Sequence, residues 1–201
     1  MKTKTSSYNT SNDTREHIID VGTALSLSLG FNAMGLSELL KTAETPKGSF
    51  YHYFRSKEAF GEAMLSRYFE RYDQDMVSLF NQPNLDYKQS VMSYFSAGIA
   101  SNSCSENYGN CLVVKLSAEV CDLSETMRHA LQQGTERIIR RLAETIALGQ
   151  NDGSISNRIT PAILADTFYS LWIGAALRTK ITHSTQPLVS AMESIERTLA
   201  H

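Results

Sequence analysis

Apolar residues recur at three- and four-residue spacing along almost the whole chain, and nowhere do they alternate with the two-residue period of a half-buried strand. The first run predicts a helix from about Asp13 to Leu29, capped by Asp13 or Thr14, with Ile18, Val21, Leu25 and Leu29 as its buried stripe. Gly30 ends it, because the residue just past a helix often takes positive φ and glycine does so without a steric cost. Phe31 is expected to fold back onto the core. A second helix covers Leu36 to Ala43, with Leu36, Leu39, Leu40 and Ala43 as its packed face. After Glu44-Thr45 a third runs from about Pro46 to Tyr53, proline being tolerated at a helix start, where its N–H would have no partner. Ser56-Lys57-Glu58 opens a fourth that lasts to about Phe80, ahead of Pro83. Further helices are predicted over Tyr87–Ala100, Cys111–Val120, Glu125–Leu148, Ile159–Thr182 and Pro187–Leu199, with a turn at Gly149–Gly153. The expected fold is all-α, about nine helices without an internal repeat, behind a polar tail at 1–12 expected to be disordered.

One segment departs from an ordinary helical core. In GFNAMGLSELLKTAETPKGSFYHYFRSKEAF, Gly30 to Phe60, two short helices flank a tight turn, and Lys47, Ser49, His52 and Arg55 crowd into and just past the second. A buried hairpin would carry aliphatics there and not Phe50 alone. The pattern is that of a helix-turn-helix whose second helix enters the DNA major groove. Composition does not announce this, since 19 Lys and Arg against 21 Asp and Glu leave a net charge of −2, whereas nucleic-acid-binding domains are usually basic. Charge is unevenly spread, however: Lys41, Lys47, His52, Arg55, Lys57, Arg67 and Arg71 gather around the head, while acids such as Asp73, Asp75, Asp86, Glu119 and Asp122 come later. A modestly basic face on a near-neutral chain suits a dimer, which doubles the patch.

Gly30-Phe31 followed by Gly48-Ser49-Phe50-Tyr51-His52-Tyr53-Phe54-Arg55-Ser56-Lys57-Glu58 resembles the reading head of the TetR family of repressors, over about residues 14–60. Two positions depart from the family habit: Gly35 where Thr or Ser usually caps the second helix, and Glu44 where the turn usually has glycine. The resemblance implies an N-terminal three-helix DNA-binding domain over 13–57 and a helical sensing and dimerisation domain over 58–201. It implies roles as well. Lys47, Ser49 and His52 would face the groove, and Gly48 would let the backbone come close to DNA. Tyr51 and Tyr53 would offer hydroxyls to phosphate, Lys57 would clamp a phosphate at the start of the fourth helix, and Thr45 would be a further contact. Phe50 and Phe54 belong to the core. The expected partners are palindromic double-stranded operator DNA and a second copy of the chain, joined through the last two helices around Trp172, Gly174, Ala175, Ala176, Leu188, Met192, Ile195 and Leu199.

The cysteines number three: Cys104, Cys111 and Cys121. With no apolar leader before them and no run near the length of a membrane span, reduced thiols in the cytoplasm are expected. Cys111 is predicted in the first turn of a helix, where unpaired N–H groups favour a thiolate and Lys115 is one turn on. Cys121 lies at the other end beside Asp122, and Cys104 in a polar loop. GNCLVVKLSAEVCDLSETMR and LWIGAALRTKI are also similar to the matching segments of thiol-responsive TetR-family repressors. That likeness implies Cys111 as the residue that reacts with electrophiles or oxidants, and Lys180 as a basic partner for it. The alternative is a repressor induced by a non-covalent apolar or carboxylate ligand lodged among Phe95, Tyr108, Tyr169 and Trp172. A thiol enzyme using Cys111 is disfavoured because no base lies near it in sequence. The five histidines have no metal-ligand spacing, and neither a metal nor a cofactor is expected.

Overall fold

A computed structural model describes residues 7–102 and 111–200, with side chains from residue 13 onward. Among the described residues there are nine helices and no strand: α1 (Ser7–Leu29), α2 (Leu36–Thr42), α3 (Lys47–Tyr53), α4 (Lys57–Phe80), α5 (Tyr87–Ser101), α6 (Leu112–Val120), α7 (Glu125–Asp152), α8 (Pro161–Thr182) and α9 (Gln186–Leu199). Every predicted helix is present, and most ends agree within two residues. Helix α1 starts at Ser7, six residues before the predicted cap, inside the segment expected to be a tail. Nothing in Ser7–Asn12 forbids helix, since Ser, Asn and Thr cost only fractions of a kcal/mol each and an established helix extends easily. Helix α7 also outruns its prediction, passing through Gly149 to Asp152 before Gly153 (φ +84°) stops it.

The chain forms two compact units, one up to Phe69 plus Lys115–Gln132, the other Glu70–Val114 plus Gln133–His201. The first unit is thus larger than the head expected at 13–57. The first half of α4 supplies Phe60, Met64 and Leu65, all fully buried in company with Ile18, Met34 and Phe50. The buried line of α1 differs from the predicted one: Ile18, Ile19, Gly22 and Ser26 are buried, Val21 and Leu25 are half-buried, and Leu29 is 43% exposed. Small residues win because large partners lie opposite. A side chain at Gly22 would fall on the Phe60 ring, and the Ser26 hydroxyl lies 3.5 Å from the Met64 sulfur. Phe31 is buried as predicted, and so are Phe50 and Phe54. The Phe50, Phe54 and Phe60 rings meet with centroids 5.1–5.6 Å apart.

In the second unit α9 packs on α8 and α5. Asp86 and Gln89 form a reciprocal capping box at the start of α5, which satisfies two otherwise unpaired N–H groups. Arg141 on α7 grips the Asp73 carboxylate of α4 with two hydrogen bonds. Phe95 and Trp172 are buried against each other, centroids 4.9 Å apart, and the Phe168 ring meets Phe95 edge-on at 6.5 Å. Trp172, Ala175, Ala176, Leu188, Ile195 and Leu199, expected at a subunit interface, are buried within this unit. What α8 leaves exposed is a different apolar set: Ile163, Leu171, Leu177 and Ile181, at 39–70% exposure.

Candidate DNA-reading head and thiol site

The turn between α2 and α3 is built by its hydrogen bonds. Glu44 N–H donates to Lys41 O (3.2 Å) and Thr45 N–H to Leu40 O (3.0 Å), the pairing of a Schellman helix end. That motif wants a left-handed residue at its C′ position, and Glu44 takes it at φ +48°. The departure noticed in sequence is therefore a real strain site. The Thr45 hydroxyl donates to Ala43 O at 2.8 Å, which commits its proton to the turn. Gly35 caps α2 without a side-chain bond, and Pro46 stands at the N-cap of α3, one position earlier than predicted.

Helix α3 is seven residues long, and its two sides differ. Phe50 is fully buried, whereas Lys47, Gly48, Tyr51 and His52 are exposed and Ser49 and Tyr53 half-buried. The Lys47 ammonium lies over the Tyr51 ring at 5.9 Å, and the His52 and Tyr53 rings meet edge-on at 4.9 Å. A Cβ added at Gly48 would meet nothing within 4 Å. Of the predicted contact residues of α3, Lys47, Gly48, Tyr51 and His52 thus share an open face, Ser49 and Tyr53 lie towards the buried side, and Arg55 is exposed beyond the helix.

Lys57 is placed differently from the other contact candidates. It begins α4, whose first turn is capped by Ser56, the Ala59 N–H donating to the Ser56 hydroxyl at 3.0 Å. The half-buried Lys57 ammonium donates to Asn32 O at 3.3 Å and sits 4.9 Å from the Phe31 ring centroid. Burial lowers its pKa, and the charge of Glu119 works against that. Glu119, near the end of α6, accepts from the Asn32 N–H at 3.2 Å, while the Asn32 side-chain amide donates to Glu119 O at 3.1 Å. Next to it, Ser124 and Thr126 both donate to the Glu58 carboxylate, and these bonds hold its pKa below the usual carboxylate value. Neither contact was foreseen from sequence; each joins residues more than 60 positions apart.

Cys111 lies half-buried directly ahead of α6, one residue short of its predicted place in the first turn. Two phenols that sequence did not connect with it are its electrostatic neighbours. Burial first, and then the charge of a Cys111 thiolate, push Tyr72 up to about 12 and Tyr169 up as well. The Tyr72 and Tyr94 hydroxyls lie 2.7 Å apart, and that hydrogen bond partly offsets the rise at Tyr72. Cys121 is half-buried at the far end of α6, and Lys180 half-buried near the end of α8. Cys104 and Tyr108 lie outside the described residues. Of the suggested ligand pocket, Phe95 and Trp172 are packed together, and Gly98 lies so close to Trp172 that an added Cβ would come within 2.6 Å of the ring. Among the described residues no group of three His, Cys, Asp or Glu could hold a metal ion, and no helix is long and apolar enough to cross a membrane.

Comparison with known proteins accounts for the head. Residues 18–64 match the model for bacterial regulatory proteins of the tetR family, and residues 90–195 match the tetracyclin repressor-like C-terminal domain. The chain belongs to the TetR family. It is similar to the HTH-type transcriptional repressor NemR of Escherichia coli (strain K12), 44% identical over 191 residues that cover 95% of this chain and 96% of NemR. It is also similar to the HTH-type transcriptional repressor DhaR of Mycobacterium sp. (strain GP1), 33% identical over 174 residues, or 87% of this chain and 86% of DhaR. The crystal structure of E. coli NemR in its reduced form matches with a TM-score of 0.90 at 45% identity, over 94% of this chain and 97% of that one. The all-α TetR architecture with an N-terminal helix-turn-helix is as the sequence led one to expect. The protein is a transcriptional repressor of this family and not an enzyme.

Proposed function

We propose that this TetR-family repressor holds a palindromic operator as a homodimer and releases it when Cys111 is modified by a thiol-reactive electrophile or an oxidant. The observation that carries the DNA half is the two-sided character of α3: Phe50 roots it in the core while Lys47, Gly48, Tyr51 and His52 lie together on the open face. Lys47, Ser49 and His52 supply base-edge or phosphate contacts, Tyr51 and Tyr53 offer hydroxyls to the backbone, Thr45 adds a contact through its free lone pairs, and Lys57 reaches a phosphate. A palindrome needs two such heads about one helical turn apart, roughly 34 Å. The apolar set that α8 leaves exposed supports the dimer, because large apolar side chains grouped on an uncovered helix face and rimmed by polar residues are typical of a protein–protein contact. Ile163, Leu171, Gly174, Leu177 and Ile181 fall within one third of its circumference and form the surface for the second copy.

The sensing half rests on Cys111. The N–H groups at the start of α6 and the phenols of Tyr72 and Tyr169 can stabilise a thiolate there. With an electron-poor alkene, the sulfur lone pair forms a C–S bond at the β-carbon, the π pair moves to the carbonyl oxygen, and a proton from the surroundings completes the adduct. Lys180 is the proposed basic partner that favours the thiolate. The work takes place in the cytoplasm, where thiols stay reduced.

Operator binding of wild type, Cys111→Ser and Lys180→Met, titrated with N-ethylmaleimide on the duplex that wild type selects from a random-sequence pool, tests both halves. Wild type should lose the duplex on alkylation and Cys111→Ser should keep it. Normal release by Cys111→Ser would overturn the covalent mechanism, and normal thiol titration and release by Lys180→Met would remove Lys180 from it.

A further inference from the structure

The polar contact between the α1–α2 corner and α6 lies outside every role assigned above. Asn32 is its hub. It donates twice to Glu119, backbone N–H to the carboxylate at 3.2 Å and side-chain amide to the carbonyl at 3.1 Å, and its own carbonyl accepts from the Lys57 ammonium at 3.3 Å. Gly30 is shaped around the same carboxylate: it takes φ +95°, and a Cβ there would come within 2.5 Å of a Glu119 oxygen. Met34 N–H then donates to Gly30 O at 3.1 Å and closes the corner. Exposed polar contacts of this kind contribute little to stability, so three coordinated bonds around one asparagine need another reason. Lys57 gives it, being a half-buried lysine at the start of α4, just past α3, whose ammonium is directed by Asn32 and by the Phe31 ring.

We infer that Asn32 and Glu119 are positioning residues for operator binding: Glu119 fixes the α1–α2 corner through Asn32, and Asn32 holds the Lys57 ammonium where it meets a DNA phosphate. The inference rests on the reading of Lys57 as an operator contact. A carboxylate near a phosphate-binding cation would ordinarily compete with the phosphate. Here its hydrogen bond goes to the Asn32 amide, so it organises the cation and leaves the ammonium's remaining protons to the DNA. A lysine held in one direction loses less side-chain freedom on binding than a loose one. Helix α6 is one continuous segment from Leu112 to Val120, so the position of Glu119 reports the position of the whole helix to Asn32.

The test is a double-mutant cycle on the full chain with the duplex selected by wild type, at fixed salt, measuring dissociation constants by fluorescence anisotropy. Asn32→Ala and Glu119→Ala should each weaken binding about ten-fold, and Glu119→Gln, which can still accept from Asn32, by less than about three-fold. In the Lys57→Met background neither alanine substitution should weaken binding further. Equal losses in both backgrounds, or wild-type affinity of Asn32→Ala in the Lys57 wild-type background, would overturn the inference. Wild-type affinity of Lys57→Met alone would instead remove the reading on which it rests, and the inference with it. Asn32 is exposed, so Asn32→Ala keeps the test valid should Glu119→Ala fail to fold.

Discussion

Replacing Gly48 by alanine should move stability and operator binding in opposite directions. Gly48 is the second residue of α3, and an added Cβ would meet no atom of the protein within 4 Å. The fold therefore does not require glycine. Alanine in a helix interior is favoured over glycine by roughly 0.5–1 kcal/mol, and a position in the first turn of a short helix should realise the lower end, about 0.5 kcal/mol. For a chain of this size 1 kcal/mol shifts Tm by about 2–4 °C, so a rise of roughly 1–2 °C is expected by calorimetry. The same empty space lies on the exposed face of α3. If DNA backbone comes within van der Waals distance of it, a methyl group forces the duplex back and stretches the flanking hydrogen bonds. A loss of about 1.4 kcal/mol, or ten-fold in Kd, is the expected scale. Anisotropy titration with the wild-type-selected duplex at one salt concentration measures it, since affinities at different salt are not comparable. Unchanged operator affinity together with raised Tm would show that Gly48 is not at the DNA, and a lowered Tm would refute the account of its place in the helix.

Three further substitutions probe the framework. Glu44→Gly relieves the left-handed strain at φ +48°, offset by glycine's greater chain entropy, and should raise the unfolding free energy by roughly 0.5 kcal/mol, read as a higher urea midpoint at constant slope; a lower midpoint would contradict the strain. The Thr179 hydroxyl is buried without a hydrogen-bond partner, so Thr179→Val should be neutral or stabilise by about 1 kcal/mol, and a clear loss on thermal unfolding would show that the hydroxyl is satisfied in the folded protein. Tyr72, with a folded pKa raised from 10.0 to about 12, contributes stability that is full below pH 10 and disappears as pH climbs to about 12, because the unfolded phenol ionises first. Tyr72→Phe should therefore flatten the fall of unfolding free energy over that alkaline window, and an unchanged slope would show that the phenol titrates normally.

Much of the fold was legible because it is written in local signals: helix periodicity, Gly30 at a helix end, proline at the starts of α3, α8 and α9. The head was legible for the same reason, its exposed and buried positions falling within a single seven-residue helix. What escaped depends on partners distant in the chain. The stripe of α1 was misplaced because Gly22 and Ser26 look like gaps until Phe60 and Met64 are brought against them. Asn32 looks like turn filler until Glu119, 87 residues on, supplies its acceptors. The glycines make the distinction sharpest. At Gly22, Gly61, Gly98 and Gly149 a side chain of the same protomer occupies the space a Cβ would take: Phe60, Met127 with Phe31, Trp172, and Ile155 with Tyr87. Each is explained by packing inside the chain. At Gly48 and Gly174 a Cβ would meet nothing, and both lie within exposed helix faces. Glycine in a helix interior costs stability, so a helical glycine for which the protomer gives no reason points to a neighbour outside it. Gly48 lies on the face assigned to DNA and Gly174 on the face assigned to the second copy, which makes Gly174→Leu the counterpart of Gly48→Ala. It should leave the protomer folded while weakening self-association in sedimentation, and a dimer of undiminished stability would put the subunit interface elsewhere.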